Sequence, residues 1–389
     1  MKTHRNIQLL SYFNFFLDLR FYSPVAIIYF SQVAGSFALG MTVFSTTMLS
    51  SALFEVPTGI YSDRIGRKKT LVLGALASLV SVTFYALAGS YLVLLIGAVF
   101  EGVARSFYSG NNEAFLMDTL AETENQQDYA EYLGKTSSMF QWALGIAAVI
   151  GGVVANISFS LVMWISVIPA IVCVLIACQM KEPKIHKEEA LNIFSHIKEA
   201  LVLFRNNAKL RQLSLANIIG YAQGEAGYQF RAAFIQTLWP IWAIGLSNML
   251  SNIGAALGFH FSGRLVMKFK ALPLLLFGKG YSFFVNSVSV LFPTIASPVM
   301  LSSSSLFFGP GSVAVSTLLQ GEYSQKQRST MGSLNALFGS IVYSAVAFML
   351  GLMADHIGPA KAILLLQLLS AVSIYLNWDL FRKEKKGMS

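Results

Sequence analysis

The sequence predicts an all-α membrane protein whose twelve transmembrane helices form two pseudo-symmetric six-helix bundles. Three observations carry this expectation. Hydrophobic residues make up 55% of the 389 and charged residues 12%, against roughly 25% charged in an ordinary soluble domain. A helix needs about 20 apolar residues to cross the hydrocarbon core. Such runs fall near residues 7–30, 38–61, 70–89, 91–116, 134–155, 158–180, 211–235, 239–262, 271–292, 297–319, 331–354 and 359–380. The longest connection, 181–210, divides them six and six. Run length and the lack of strict alternation exclude a β-barrel.

The first run follows Lys2 and Arg5, as in a signal peptide, but it is long, carries Asp18 and Arg20 and lacks a convincing cleavage site. It reads as a retained span. Orientation follows from alternate connections. Those carrying Arg64 to Lys69, Lys135, Lys181 to Arg211, Arg264 to Lys270, Lys326 to Arg328 and Arg382 to Lys386, with Lys2 and Arg5, hold 23 of the 28 basic residues. The opposite connections hold only Lys361, and Arg20, Arg105, Arg231 and Lys279 lie inside spans. By the positive-inside rule both termini are cytoplasmic, in a bacterial-type inner membrane. The net charge of +9 thus sits between apolar runs, which argues against nucleic-acid binding.

The expected domains are 1–180, a linker over 181–210 and 211–389. In the linker Ile193, Ile197, Leu201 and Phe204 recur at helical spacing among Lys198, Arg205 and Lys209. Either an amphipathic helix on the inner leaflet or a solvated helix accounts for that pattern. The halves echo one another: Ser262-Gly263-Arg264-Leu265-Val266-Met267-Lys268 answers the charged island at 59–69, with Gly263 in place of an acid, and 320–355 parallels 118–156.

That island, Gly59-Ile60-Tyr61-Ser62-Asp63-Arg64-Ile65-Gly66-Arg67-Lys68-Lys69, closely resembles the signature loop between the second and third helices of the major facilitator superfamily of secondary transporters. Glu55, Gly59 and Asp63, four apart, share a helix face, and Gly59 is expected to let another helix approach closely. The resemblance implies that Asp63 meets the start of the eleventh helix and that Arg67 meets an acid ending the fourth, here Asp118. With Arg64, Gly66 and Lys68 these residues would form a cytoplasmic gate. The alternative is that the basic residues only anchor a short loop. A second resemblance, to the superfamily's antiporters, rests on Gly134, Ala143, Ala147, Ala148, Gly151 and Gly152 of the fifth span. Such small residues permit close helix packing; Ala148 stands in place of that pattern's proline. Ala98 stands where the drug antiporters have a fourth-span arginine, so Arg105 does not inherit that role.

Intramembrane charges are costly and must face protein or water. The first span has Asn14, Asp18, Arg20 and Tyr22, with Asp18 and Tyr22 expected on one face at i, i+4 spacing. The fourth has Glu101 and Arg105, and the seventh has Glu225, Tyr228, Gln229 and Arg231. Three acids and three arginines can balance one another, and a proton on one acid disturbs that balance. Asp18, Glu101 and Glu225 are therefore the proton-coupling candidates. Arg20 and Arg105 are their partners or contacts for an anionic substrate; static salt bridges are the alternative. The other cavity candidates are Asn14, Tyr22, Tyr228, Gln229, Arg231, Phe307 and Phe308, the last two at the Phe307-Phe308-Gly309-Pro310-Gly311 break of the tenth span. Lys279 and Glu113 read as snorkelling or interfacial, and Trp239 and Trp242 as interfacial.

No Gly-x-x-x-x-Gly-Lys-Ser/Thr loop is present, and no His, Cys or paired-acid spacing suggests a metal or hydrolytic centre. Cys173 and Cys178 lie on different faces of one span. The expectation is a cofactor-free, non-enzymatic secondary transporter that works by alternating access as a monomer in the bilayer, with the proton gradient as energy source. Proton-coupled efflux of small amphiphilic molecules is the first reading. A proton-coupled or facilitative importer of a nutrient or metabolite, and a transporter-like sensor without flux, are the alternatives.

Overall fold

A computed structural model describes residues 2–122, 128–183, 202, 204–323 and 328–386. The chain divides into two compact units. Unit 1 is Met1–Glu189 with Pro240–Met249, and unit 2 is Ala190–Trp239 with Leu250–Ser389. One boundary lies between 189 and 190 and two more at 239/240 and 249/250. Apart from Val202 and Phe204 to Leu210, the linker helix pattern lies outside the described residues.

Unit 1 contains α1 (Lys2–Asp18), α2 (Ala26–Ala34), α3 (Phe37–Ile65), α4 (Arg67–Ala86), α5 (Tyr91–Tyr108), α6 (Asn111–Ala121), α7 (Tyr129–Ile157) and α8 (Phe159–Gln179). Unit 2 contains α9 (Ala208–Ile235), most of α10 (Ile241–Phe269), α11 (Ala271–Leu291), α12 (Ser297–Ser303), α13 (Phe308–Glu322), α14 (Arg328–Ile357) and α15 (Pro359–Lys385). Only helices and closed barrels satisfy every backbone group in hydrocarbon. Serine and asparagine caps close several helix starts: Ser36 accepts from the Leu39 amide, Ser158 from Leu161 and Asn207 from Leu210.

Among the described residues nine spans are long and apolar enough to cross a membrane. The other three expected spans are the α1/α2 pair, α9 and α10. Polar and charged residues dilute them, Asp18 and Arg20 in the first and Glu225 and Arg231 in α9. Three spans are broken rather than continuous. The first unwinds after Asp18 and resumes at Ala26 through the 3-10 turn Ser23–Val25. The fourth breaks at Ser109-Gly110, where Gly110 takes φ +69°, and the tenth at the 3-10 turn Ser304–Phe307.

Unit 1 packs Ile7, Leu10 and Phe13 of α1 against Leu71 and Ala75 of α4, Ala104 and Tyr108 of α5, Phe115 of α6 and Cys173 of α8. Unit 2 gathers Leu210, Leu213, Leu272, Leu319, Met331 and Leu380. Lipid is as apolar as leucine, so close packing holds such bundles. A Cβ on Gly102 of α5 would lie 2.5 Å from the Thr47 carbonyl of α3, so that helix pair requires glycine there.

Candidate functional site

Two intramembrane arginines of unit 1 converge on Glu101, buried in the middle of α5. Its Oε1 accepts from Arg20 Nη1 at 2.7 Å and from Arg105 Nη2 at 3.2 Å, and its Oε2 accepts from the Tyr85 hydroxyl at 2.9 Å. Arg105 reaches it from one helical turn away. Arg20 arrives from the unwound stretch after α1, where its amide donates to the Asp18 carbonyl and its Nε to Leu17 O. That unwinding corrects the expectation that Asp18 and Tyr22 share a helix face, because α1 ends at Asp18. Asp18 stands in the field of Arg20 and Arg105 without an ion pair among the described residues. Tyr22 instead meets Tyr85 edge to face at 5.7 Å. Beside the cluster is a cavity of about 20 Å³, lined by Arg20, Tyr22, Ser81, Glu101, Ser166 and Cys173 among others, room for about one water. Asn14 lies apart: it donates to Thr136 O and accepts from Asn112.

In unit 2 Glu225 and Arg231 do not pair with each other. Six positions along a helix place them about 9 Å apart in rise and on different faces. Glu225 accepts from Gln229 Nε2 at 2.8 Å. Arg231 donates to Ser251 of α10 at 3.1 Å and to Ser304 of the tenth-span turn at 3.4 Å. Tyr228 is exposed on the unit's surface. Phe307 packs on Tyr281 and Phe277 of α11, and Phe308 is largely exposed, edge-on to Phe259. Lys279 is a correction. Rather than snorkelling, its ammonium lies inside the bundle. It donates to Ser373 of α15 at 2.6 Å, and a Cβ on Gly220 of α9 would come within 2.6 Å of it. No carboxylate among the described residues pairs with it.

At the charged island Arg67 Nε donates to Asp118 at 3.4 Å, and its Nη1 donates to Ser62 at 3.0 Å. Asn111 ties the two sides together, accepting from Ser62 and donating to the Arg67 carbonyl. Glu182 sits at the start of α4, where both carboxylate oxygens accept from the Lys68 amide; an anion is favoured at a helix N-terminus. Gly66, at φ +98°, is the turn between α3 and α4. Glu55 accepts from Ser109, and Arg64 is exposed. The Asp63 side chain lies outside the described residues. Among the described residues nothing lies within 4 Å of a Cβ built on Gly59; residues 324–327 and the side chains of 328–330, at the start of the eleventh span toward which its face is expected to point, lie outside the described residues.

On α7, Ala143, Ala147 and Ala148 are buried. A Cβ on Gly151 would run into the Phe21 carbonyl of the broken first span, and one on Gly152 would lie 2.7 Å from the Trp242 carbonyl. By contrast, nothing among the described residues lies within 4 Å of a Cβ on Gly134. Tyr85, Asn111, Glu182, Ser251, Ser304 and Ser373 carried no motif that singled them out in the sequence, and Ser62 lay within the island without a role of its own.

The pattern described as Major Facilitator Superfamily matches residues 8–346. The chain belongs to this superfamily. An uncharacterized MFS-type transporter of Methanocaldococcus jannaschii is 23% identical over 296 residues, 73% of this chain and 74% of the relative. An uncharacterized transporter of Buchnera aphidicola is 32% identical over 135 residues, and the match spans only 32% of that relative. A Na(+), Li(+), K(+)/H(+) antiporter of Planococcus maritimus is 27% identical over 152 residues, 37% of this chain and 34% of that one. Among solved structures, a mutant of the nucleoside transporter NupG superposes with TM-score 0.84 at 13% identity over 98% of this chain and all of that one. A D-xylose-proton symporter superposes at 0.74 and 14% identity, over 97% of both chains. The fold is that of a major facilitator, and this member is a multi-pass secondary transporter rather than an enzyme. It handles small-molecule substrates within a membrane.

Proposed function

We propose that this major facilitator protein is a proton-coupled exporter of small amphiphilic molecules, working by alternating access. The observation that carries the coupling is Glu101, an intramembrane carboxylate that receives Arg20, Arg105 and Tyr85 at once. A proton on Glu101 leaves two guanidinium charges without their anion. Arginine cannot release its own proton, so such a site has two electrostatic states with a large difference between them. Asp18, in the field of the same two arginines, is the second candidate acid. In unit 2 Glu225 is the third, bonded among the described residues to the neutral Gln229 amide.

Export rather than import is supported by the small-residue face of α7 and by the partial likeness to a cation/proton antiporter. The deciding experiment uses proteoliposomes loaded with a fluorescent amphiphile and a lumenal pH dye. When the amphiphile runs out of the vesicle without an imposed pH gradient, antiport acidifies the lumen. Lumenal alkalinisation identifies a symporter, hence an importer. No pH change with measurable flux removes proton coupling, and no flux of any amphiphile removes the export reading.

A further inference from the structure

We propose that Arg231 is the anion-recognition group of a substrate subsite in unit 2, and that the substrate is an amphiphile bearing a carboxylate or phosphate. The inference deepens the export reading and names its substrate class. Arginine remains charged at every accessible pH, and an intramembrane charge is costly unless it meets water or a counter-ion. In unit 1 both intramembrane arginines reach Glu101. In unit 2 Arg231 ends on two neutral hydroxyls, those of Ser251 and Ser304, and no carboxylate among the described residues pairs with it. A guanidinium has five N–H donors in a planar fork suited to carboxylate and phosphate. Two serine contacts leave donors over, and the residue is only half-buried.

The surroundings suit an apolar body attached to that anion. Ser304 opens the 3-10 turn that ends at Phe307. Tyr281 joins that turn from α11, hydrogen-bonded to Ser303 at 2.9 Å and packed on Phe307 at 5.1 Å between ring centres. Tyr228, one turn before Arg231 on α9, is exposed. The tenth-span break thus sets a fixed cation and an aromatic ring at its two ends, which matches an anionic head and an apolar tail. Glu225 is held by Gln229 and does not compete for the guanidinium. Lys279 is occupied by Ser373.

The test measures binding to the full chain in nanodiscs by calorimetry, with three matched pairs: 1-naphthoate against 1-naphthamide, octanoate against octanamide, and phenyl phosphate against phenol. At least one anion should bind roughly 10- to 100-fold more tightly than its neutral match, the range for a charge-assisted hydrogen-bond pair. Arg231→Gln should erase that preference, and Arg231→Lys, which keeps the charge but loses the fork, should reduce it several-fold. The proposal is overturned if no pair shows an anion preference on the wild type, or if the preference survives in Arg231→Gln. Should Arg231→Gln not yield folded protein, an Arg231→Lys variant that matches the wild type in every pair overturns it equally. Failure here is separable from failure of the export reading. Proton-driven efflux of neutral or cationic dyes without anion preference leaves export standing, whereas Arg231-dependent anion binding with flux but no lumenal pH change leaves the subsite standing and removes coupling.

Discussion

In unit 1 the Glu101 carboxylate gathers Arg20, Arg105 and Tyr85 within 3.2 Å. In unit 2 Arg231 and Lys279 end on serine hydroxyls and Glu225 on a glutamine amide. The intramembrane side chains of unit 1, Asp18, Arg20, Glu101 and Arg105, sum to zero, whereas Glu225, Arg231 and Lys279 leave a net positive charge when all are ionised. The difference separates two jobs. A neutral, closely wired cluster changes sharply when one member takes a proton. Arg231, with N–H donors beyond its two serine contacts among the described residues, is left able to accept an anion from outside the chain. The broken spans match this division: the first span unwinds where Arg20 must turn toward α5, and the tenth where Ser304 must face α9.

This contrast can be broken first at Glu101. Glu101→Gln should abolish the lumenal pH response and destabilise the protein by about 3–5 kcal/mol, the cost of removing one partner of a buried ion pair. A variant with intact proton coupling would dissolve the distinction between the units. Lys279→Met should act in the opposite direction. Replacing an intramembrane ammonium that no carboxylate among the described residues balances by an apolar side chain of similar length is expected to raise thermal stability in detergent, by about 1–2 kcal/mol. A fall in stability would mean that Lys279 has a counter-charge. Arg67→Gln should cost about 1 kcal/mol or less in the same assay, because the Arg67–Asp118 pair is partly exposed and long at 3.4 Å. Its larger effect is expected on the transport rate, and unchanged flux would reduce the island to a loop anchor. Glu225→Gln should change stability least, within about 0.5 kcal/mol, since it swaps one acceptor of the Gln229 amide for another. A large loss there would give unit 2 a charge network like that of unit 1.

Much of the site was legible in part. Glu101 and Arg105 are four apart on one helix, so their contact follows from helical geometry. The Arg67–Asp118 contact required the family resemblance, since 51 positions separate the two. Arg20–Glu101, across 81 positions, could be anticipated only as one of several balances among three acids and three arginines. The pairing of Asp18 with Tyr22 failed because i, i+4 spacing means a shared face only while the helix continues, and α1 stops at Asp18. Lys279 was misread for a related reason. Whether a lysine snorkels or turns inward depends on the space its neighbours leave, and here Gly220 of α9 leaves it.

By itself the sequence determined that the chain is helical and membrane-spanning, where its spans lie, and which residues carry charge inside them. Those properties are local: hydrocarbon obliges each segment to satisfy its own backbone and to be apolar over its own length. Only the tertiary structure decided which charges meet. That depends on where spans unwind and which small residues let neighbouring helices approach, as Gly151 admits the Phe21 carbonyl and Gly220 the Lys279 ammonium. The cost of an unpaired charge in a bilayer applies to every intramembrane residue alike, and packing selects the partner that relieves it.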